Sequence, residues 1–206
     1  MPKIVDREAR RQEVADAVFR VAARDGLENA SLRKVADEAG LAIGSVRHYF
    51  TGHGELMTFA MEELARRIEH RVRGHADRIL SPGARAGDRR AGMTELLAEF
   101  LPLDAARQEE ATLWLAFTTA ARTRPELRPR LDASHEGMHA LLVRVLSEAR
   151  RAGGLTEDAD FDIEALRLAA LLDGLTLQAV LRPGDVTPEA MRRVLTRHLD
   201  SLRHSG

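Results

Sequence analysis

Two histidines and a glutamate near the middle of the chain have the spacing of a zinc site. The segment His135-Glu136-Gly137-Met138-His139 matches the H-E-x-x-H pattern. On a helix, histidines four residues apart share one face and can bind zinc, with the glutamate as general base. The pattern raises the hypothesis of a helical metal-binding protein or a zinc hydrolase.

Other features of the sequence disfavour an enzyme. No third zinc ligand is evident beyond Glu164 or His198, and Gly137 weakens the helix that would carry both histidines. Metalloproteases of this type pair the helix with a sheet, and no segment shows the alternation of a strand. We therefore predict no catalytic residues, no metal site and no cofactor.

A second group of polar side chains follows a predicted turn between two short amphipathic helices. Val35 to Phe50 reads VADEAGLAIGSVRHYF, in which Gly40 can adopt the left-handed conformation that ends a helix. Ser31 is a good N-cap for the first helix, and Leu41 is predicted to fill the turn. The residues expected to face inward are Leu32, Val35, Ala36, Ala39, Val46 and Phe50. This pattern is typical of a helix-turn-helix.

The second of these helices leaves a mixed surface outward. Its members are Ala42, Ile43, Gly44, Ser45, Arg47, His48 and Tyr49. A glycine inside a helix costs about 0.5–1 kcal/mol relative to alanine, and Gly44 can offset that cost by letting the backbone approach a groove floor. A short helix that presents its N-terminal residues fits a reader of the DNA major groove. The alternative is an ordinary helical hairpin with a polar, solvent-facing side.

Residues 31–56 resemble the DNA-binding segment of TetR-family transcriptional repressors. The matching positions are Ser31, Val35-Ala36, Ala39-Gly40-Leu41, Gly44-Ser45, Tyr49-Phe50 and Leu56. The resemblance implies a repressor that binds a palindromic operator of double-stranded DNA as a homodimer. There are two departures: Arg47 stands where the family often has tyrosine, and His53 where it often has lysine.

The resemblance also implies two kinds of DNA contact, since phosphate contacts set the register and base contacts read the sequence. Residues expected to face base edges are Arg33, Ile43, Gly44, Arg47 and His48. Residues expected to bind phosphates are Ser31, Lys34, Ser45, Tyr49 and His53.

Helical periodicity dominates the whole chain and predicts an all-α fold of about nine helices. The predicted helices cover 6–24, 31–39, 43–49, about 55–79, 93–103, 109–122, 127–151, 162–181 and 188–202, and the segment 81–87 is a candidate linker. We predict a helix-turn-helix domain over residues 1–52 and a ligand-binding and dimerisation domain over 53–206. The long helix at about 55–79 would connect them.

The last two predicted helices are candidates for a dimer interface. Residues 163–181 are apolar almost all round, as in a helix covered on two sides. The residues predicted for the interface are Leu166, Ala170, Gly174, Leu177, Leu181, Met191, Leu195, His198 and Leu202. The alternative is a single monomeric core.

The stretch LLDGLTLQAVLRP is also similar to the subgroup of the choline-responsive betaine-pathway repressor, a likeness too short to carry the ligand over.

The helices between the linker and the last helix are predicted to enclose a small-molecule effector. Its candidate contacts are Phe100, Trp114, Phe117, Thr118, His135, Met138, His139, Leu142 and Gln178. For each of them, packing in the core is the alternative role. Aromatic residues make up only 4% of the chain, which does not indicate an aromatic cage for a quaternary ammonium.

Composition limits the remaining classes. The chain has 206 residues and no cysteine, with 44% hydrophobic and 31% charged residues, which is typical of a globular protein without disulfides. No apolar run reaches membrane-spanning length and no signal peptide is evident, so we expect a cytoplasmic protein with no membrane partner. The formal net charge of −1 gives no general attraction to DNA. A helical lipid carrier without DNA binding is therefore kept as a further alternative.

Overall fold

A computed structural model of the protein describes residues 7–79, 86–151 and 160–202. Within these ranges the chain forms nine α-helices and two short 3₁₀ turns, with no strand, which confirms the predicted all-α fold. The helices are α1 (Arg7–Asp25), α2 (Leu32–Glu38), α3 (Ile43–Tyr49), α4 (His53–Ile79), α5 (Ala86–Ala98), α6 (Ala105–Ala120), α7 (Arg128–Arg151), α8 (Phe161–Leu181) and α9 (Pro188–Ser201). None of the described helices is long and apolar enough to cross a membrane.

The boundaries of α5 and α6 differ most from those predicted. Helix α5 begins at residue 86, seven residues before the predicted start, so the last two residues of the candidate linker are helical. The other linker residues that precede 86 lie outside the described ranges. Helix α6 begins four residues before its predicted start because the Asp104 carboxylate accepts a hydrogen bond from the backbone N–H of Arg107, at 2.9 Å. Such a bond satisfies a donor that the first turn of a helix leaves free.

The described residues form two compact units. The first contains the residues up to Arg66 together with Thr112–Asp132, and the second contains Arg67–Ala111 and the residues from Ala133 onward. The first half of α4 therefore groups with α1–α3, whereas the predicted division lies between residues 52 and 53. That functional division remains a prediction.

The core of the first unit forms where the apolar stripe of α1 meets α2, α3 and the start of α4. The five residues that periodicity places on the inner face of α1 are all buried: Val14, Ala17, Val18, Val21 and Ala22. Opposite them the buried residues are Val35, Ala36, Val46, Phe50, Leu56, Met57, Ala60, Met61 and Leu64. Each fully buried aliphatic or aromatic side chain contributes about 1.5–3 kcal/mol through the hydrophobic effect.

The core of the second unit is built from one face of each of its helices. Its members include Leu96, Leu97, Leu142, Val145, Leu146, Leu168, Leu172, Met191, Leu195 and Leu199. Met191 and Leu195, which were predicted to meet a second subunit, are 1% and 0% exposed. They pack inside their own chain, because the apolar stripe of α9 faces this core.

A network of charged side chains holds the second half of α4 against the segments that follow it. The Arg71 guanidinium donates to both Glu110 carboxylate oxygens, at 3.0 and 2.6 Å, and to Glu99 at 3.2 Å. Arg107 and His75 also approach Glu99, at 3.4 and 3.3 Å. The bidentate Arg71–Glu110 pair is the kind of ion pair that fixes geometry, because its fork of two donors restricts rotation.

Candidate nucleic-acid interface

The turn between α2 and α3 is specified by hydrogen bonds at both ends of α2. At its start, the backbone N–H of Lys34 donates to Ser31 Oγ at 3.3 Å, which is an N-cap. At its end, Gly40 adopts φ +67°, and the N–H groups of Gly40 and Leu41 donate to Asp37 and Ala36. This pair of bonds is a Schellman motif, whose left-handed residue is usually glycine. The structure therefore confirms Gly40 as the residue that ends the helix.

Two buried residues fix α3 to the rest of the unit. Val46 and Phe50 are both 0% exposed. The Phe50 ring lies 5.4 Å from the Phe59 ring of α4, and the Arg11 guanidinium of α1 lies over both rings, 5.2 and 4.3 Å from their centroids. Contacts from α1 and α4 thus converge on the C-terminal end of α3 and set its orientation.

The opposite side of α3 carries the residues predicted to meet DNA. Ile43, Gly44, Ser45, Arg47 and His48 are all exposed, and Tyr49 is half-buried with its ring edge-on to His48. A Cβ added to Gly44 would meet no protein atom within 4 Å. No packing contact inside the unit therefore requires a glycine at this position.

Ion pairs divide the arginines of this unit into two groups. Arg20 and Arg24 of α1 donate to the Glu38 carboxylate at 2.8 and 2.9 Å. These hydrogen bonds, with Arg20 contributing most, lower the pKa of Glu38. Arg33 and Arg47, in contrast, form no hydrogen bond or ion pair with any residue that the structure describes. Their guanidinium groups are available to an anion outside the chain.

Two of the predicted phosphate ligands already have weak partners in the chain. Lys34 Nζ lies 3.5 Å from Asp25 Oδ2, a long contact between exposed groups that a phosphate can displace. Ser31 uses its oxygen as an acceptor in the cap, and its hydroxyl proton stays available to a phosphate oxygen.

His53, a third predicted phosphate ligand, is in a different environment. It is half-buried, and its Nδ1 lies 3.4 Å from Nη1 of Arg124, which is 71 positions away in the sequence. Burial, followed by the positive charge of Arg124, lowers the pKa of His53. The imidazole is therefore neutral at pH 7, unlike the lysine that the family often has here. No local pattern in the sequence could have indicated Arg124.

The two histidines of the H-E-x-x-H segment lie on α7 as predicted, and both are exposed. His139 Nε2 lies 3.7 Å from an Asp162 carboxylate oxygen. Across the described ranges, no cluster of three or more histidine, aspartate or glutamate side chains is arranged to hold a metal ion. Among the described residues, the segment therefore has no third ligand of the kind that a zinc site requires.

The residues predicted to contact an effector are divided between the two units. Trp114, Phe117 and Thr118 belong to the first unit, where Phe117 is fully buried and the buried Thr118 hydroxyl has no hydrogen bond within the described chain. The others, Phe100, His135, Met138, His139, Leu142 and Gln178, belong to the second. Leu142 is fully buried in the core, Phe100 and Met138 pack against that core, and Gln178 pairs with Arg182.

An apolar stripe runs along the outer face of α8. Leu166 and Leu181 are 65% and 66% exposed, and Ile163 and Leu177 are also exposed. Ala170 and Gly174 lie between them, and an added Cβ at Gly174 would meet nothing within 4 Å. On α9, Val194 is exposed while His198 and Leu202 are partly buried. We call the residues 163, 166, 170, 174, 177 and 181 the α8 stripe.

Comparison with known proteins assigns the family. Residues 89–204 match the family described as BetI-type transcriptional repressor, C-terminal. The transcriptional regulator PksA of Bacillus subtilis is 37% identical over 202 residues, covering 98% of this chain and 94% of that protein. A solved transcriptional regulator from Rhodococcus superposes with a TM-score of 0.79 at 30% identity, covering 93% of this chain and 95% of the other.

A regulator from Saccharomonospora viridis, solved in complex with choline, has a TM-score of 0.82 at 21% identity and covers 96% of this chain and 97% of its own. At that identity the likeness establishes the fold alone. The chain belongs to the TetR family of transcriptional regulators, with a C-terminal region of the BetI repressor type. The family expected from residues 31–56 is confirmed, and its members regulate transcription rather than catalyse reactions.

The environment of His53 generates a prediction about its titration. We expect its imidazole, followed by NMR, to titrate with a midpoint below the ordinary 6.5, since burial and Arg124 both oppose the charged form. Arg124→Ala should raise that midpoint, because it removes the adjacent positive charge. In the wild type, the pKa of His53 is lower in the folded than in the unfolded chain, so the unfolded chain binds more protons just below pH 6.5. His53 therefore lowers the free energy of unfolding as the pH falls through that range. A His53 midpoint at or above 6.5 contradicts this account.

Proposed function

We propose that this regulator binds a palindromic operator as a homodimer and leaves it when a small molecule binds the helical region beyond α3. The observation that carries the proposal is the outward face of α3, which combines an unobstructed Gly44 with an Arg47 that has no partner among the described residues. Residues 1–52 would serve DNA binding and residues 53–206 effector binding and dimerisation. A cytoplasmic location, where such a regulator reaches its DNA, is part of the proposal.

The chemistry of the α3 face suits a major groove. Arg33 and Arg47 can bind guanine or phosphate through two parallel donors. Ile43 can contact a thymine methyl group, and His48 can hydrogen-bond to a base edge. Ser31, Lys34, Ser45 and Tyr49 supply donors for the flanking phosphates. His53 is the weakest member, because a neutral half-buried imidazole offers no positive charge.

A second copy of the chain is needed because one such helix reads only a few base pairs. Two copies related by a two-fold axis place their recognition helices roughly 34–36 Å apart, one turn of DNA. The α8 stripe supplies an apolar surface for this contact, and Gly174 lets a facing helix approach closely. The predicted Leu166, Ala170, Leu177 and Leu181 lie on this surface, and Val194, His198 and Leu202 of α9 extend it.

Release requires that the effector bind one conformation of the dimer better than the other. The helix α4 contributes residues to both compact units, and we propose that it moves when the effector binds. The predicted effector contacts are those named above: Phe100 follows the end of α5, and the others lie on α6, α7 and α8. An effector that bound both conformations equally well, however tightly, would leave the regulator on its operator.

The DNA-binding role is tested first by selecting binding sites from random duplexes with the purified protein. We expect an inverted repeat whose affinity falls steeply as salt rises, because phosphate contacts release counterions. Arg47→Ala should weaken binding by more than about tenfold, through loss of a bidentate contact. The control is Arg144→Ala, which removes an exposed arginine of α7. Equal affinity of the two variants contradicts the proposed docking of α3.

A second substitution separates folding from DNA contact at Gly44. Gly44→Ala should leave the free energy of unfolding unchanged or raise it by up to about 1 kcal/mol, because the added methyl meets open space. It should nevertheless weaken operator binding, since the methyl would stand between the backbone and the groove. Gly137→Ala, also in a helix and also facing open space, is the matched control. Wild-type affinity in Gly44→Ala would mean that α3 does not approach DNA at this residue.

The α8 stripe predicts the oligomeric state. The wild-type protein should sediment as a dimer, and Leu166→Glu combined with Leu181→Glu should sediment as a folded monomer, because two carboxylates would be buried without partners. Ala140→Glu places the same charge on an exposed position of α7 and should remain dimeric. Circular dichroism checks that each variant is folded. A dimer that survives the double substitution locates the interface elsewhere.

A further inference from the structure

Three separate segments of the first unit meet at the side chain of Arg124. Its Nη2 donates to Glu28 Oε2 at 2.7 Å, and its Nη1 lies 3.4 Å from His53 Nδ1. Glu28 belongs to the 3₁₀ turn Leu27–Asn29 between α1 and α2, and His53 is the first residue of α4. Arg124 itself stands between α6 and the 3₁₀ turn Pro125–Leu127.

A neighbouring contact holds the same segments together. A Cβ built on Gly54 would lie 3.4 Å from the Glu126 carboxylate, so the second 3₁₀ turn rests against the start of α4. A carboxylate beside the first turn of a helix interacts favourably with the helix dipole. Leu127, at the end of the same turn, is fully buried and anchors it to the unit.

We propose that Arg124 is a positioning residue for operator binding, which holds the helix-turn-helix in register with the start of α4 and the end of α6. The inference rests on the proposed function, because it gives Arg124 a role in the affinity for the operator. The guanidinium contacts the turn that precedes α2, and α2 leads directly into α3. Without this contact, the turn between α1 and α2 can shift. Operator binding would then have to order that turn in both protomers of a dimer, which lowers the affinity.

The exposure of Arg124 and Glu28 indicates that their ion pair orients the two segments rather than adding to the free energy of unfolding. The Arg124 side chain is 20% exposed and the Glu28 side chain 73% exposed. Ion pairs with one partner in water contribute little to the free energy of unfolding. A planar guanidinium placed between a carboxylate and an imidazole nevertheless fixes the directions of both.

Arg124 also links this contact to α6. Its backbone N–H donates to the carbonyl of Ala120, the last residue of α6, at 2.9 Å. Trp114, Phe117 and Thr118, three of the predicted effector contacts, lie on the two turns before that end. A shift of the end of α6 therefore moves the guanidinium relative to Glu28.

Acidification tests the same contact. The charged groups that face His53 are Arg124, Glu28 and Glu126, and the Ala30 carbonyl is its backbone partner. A proton on His53 puts two positive charges side by side and works against the Arg124 position. A proton on His53 adds a positive charge near DNA in both proteins but disturbs Arg124 only in the wild type, so the ratio of wild-type to Arg124→Ala operator affinity should decrease between about pH 7 and pH 5.5, and a constant ratio contradicts the positioning role.

The experiment measures operator affinity by fluorescence anisotropy, with the duplex obtained by selection as the probe. Arg124→Ala should bind roughly three- to tenfold more weakly, with little change in the thermal midpoint of unfolding. Arg122→Ala removes an exposed arginine two residues earlier and should stay within about twofold of the wild type. The reversed pair Glu28→Arg with Arg124→Glu should bind more tightly than Arg124→Glu alone and more tightly than Glu28→Arg alone.

Each contrary outcome has a distinct meaning. Wild-type affinity in Arg124→Ala, or failure of the reversed pair to recover affinity, overturns the positioning role while the proposed function stands. The same loss in Arg122→Ala overturns it as well, because a general loss of positive charge then explains the result. A wild-type protein that selects no operator overturns the proposed function, and the role of Arg124 with it.

Discussion

The reversal of the chain at Gly40 decides what α3 can present. Because the glycine takes φ +67° and two N–H groups close the end of α2, the chain turns before α3 begins, and Val46 and Phe50 are buried. The aromatic contacts of Phe50 with Phe59 and Arg11 then bind that end of α3 to α1 and α4. Ile43, Gly44 and Arg47 lie on the opposite, exposed side of α3 as a consequence of this anchoring.

The ion pairs of the first unit, rather than the net charge of the chain, decide which arginines can attract an anion. The net charge of the chain is −1, yet the acidic residues of this unit form ion pairs with some of its arginines and not with others. Glu38 accepts from Arg20 and Arg24, and Glu28 accepts from Arg124. Arg33 and Arg47 are left without partners in the described chain. Local attraction for an anion therefore coexists with an overall charge that gives none, and counting charges along the sequence could not have revealed it.

The sequence predicted correctly those features of the fold that depend on interactions between residues close together in the chain. The bounds of α3, the cap at Ser31 and the turn at Gly40 were all evident in the sequence, because each depends on neighbours within five residues. The start of α5 was missed because its glycine- and alanine-rich beginning reads as a linker. Periodicity found the apolar stripe of α9 but could not tell whether Met191 and Leu195 pack in their own chain or against another. The contact of Arg124 with His53 depends on tertiary folding and had no signal at all.

Dimerisation through the exposed leucines of the α8 stripe, as proposed above, would make assembly depend on the amount of chain present. If two protomers must pair before either can hold an operator, occupancy at low concentration rises with the square of the amount of chain present. Dilution of the protein, as a cell grows and divides, would then empty the operator more sharply than a monomeric binder allows. An apolar surface on α8, in the second unit, would in this way set a threshold for repression.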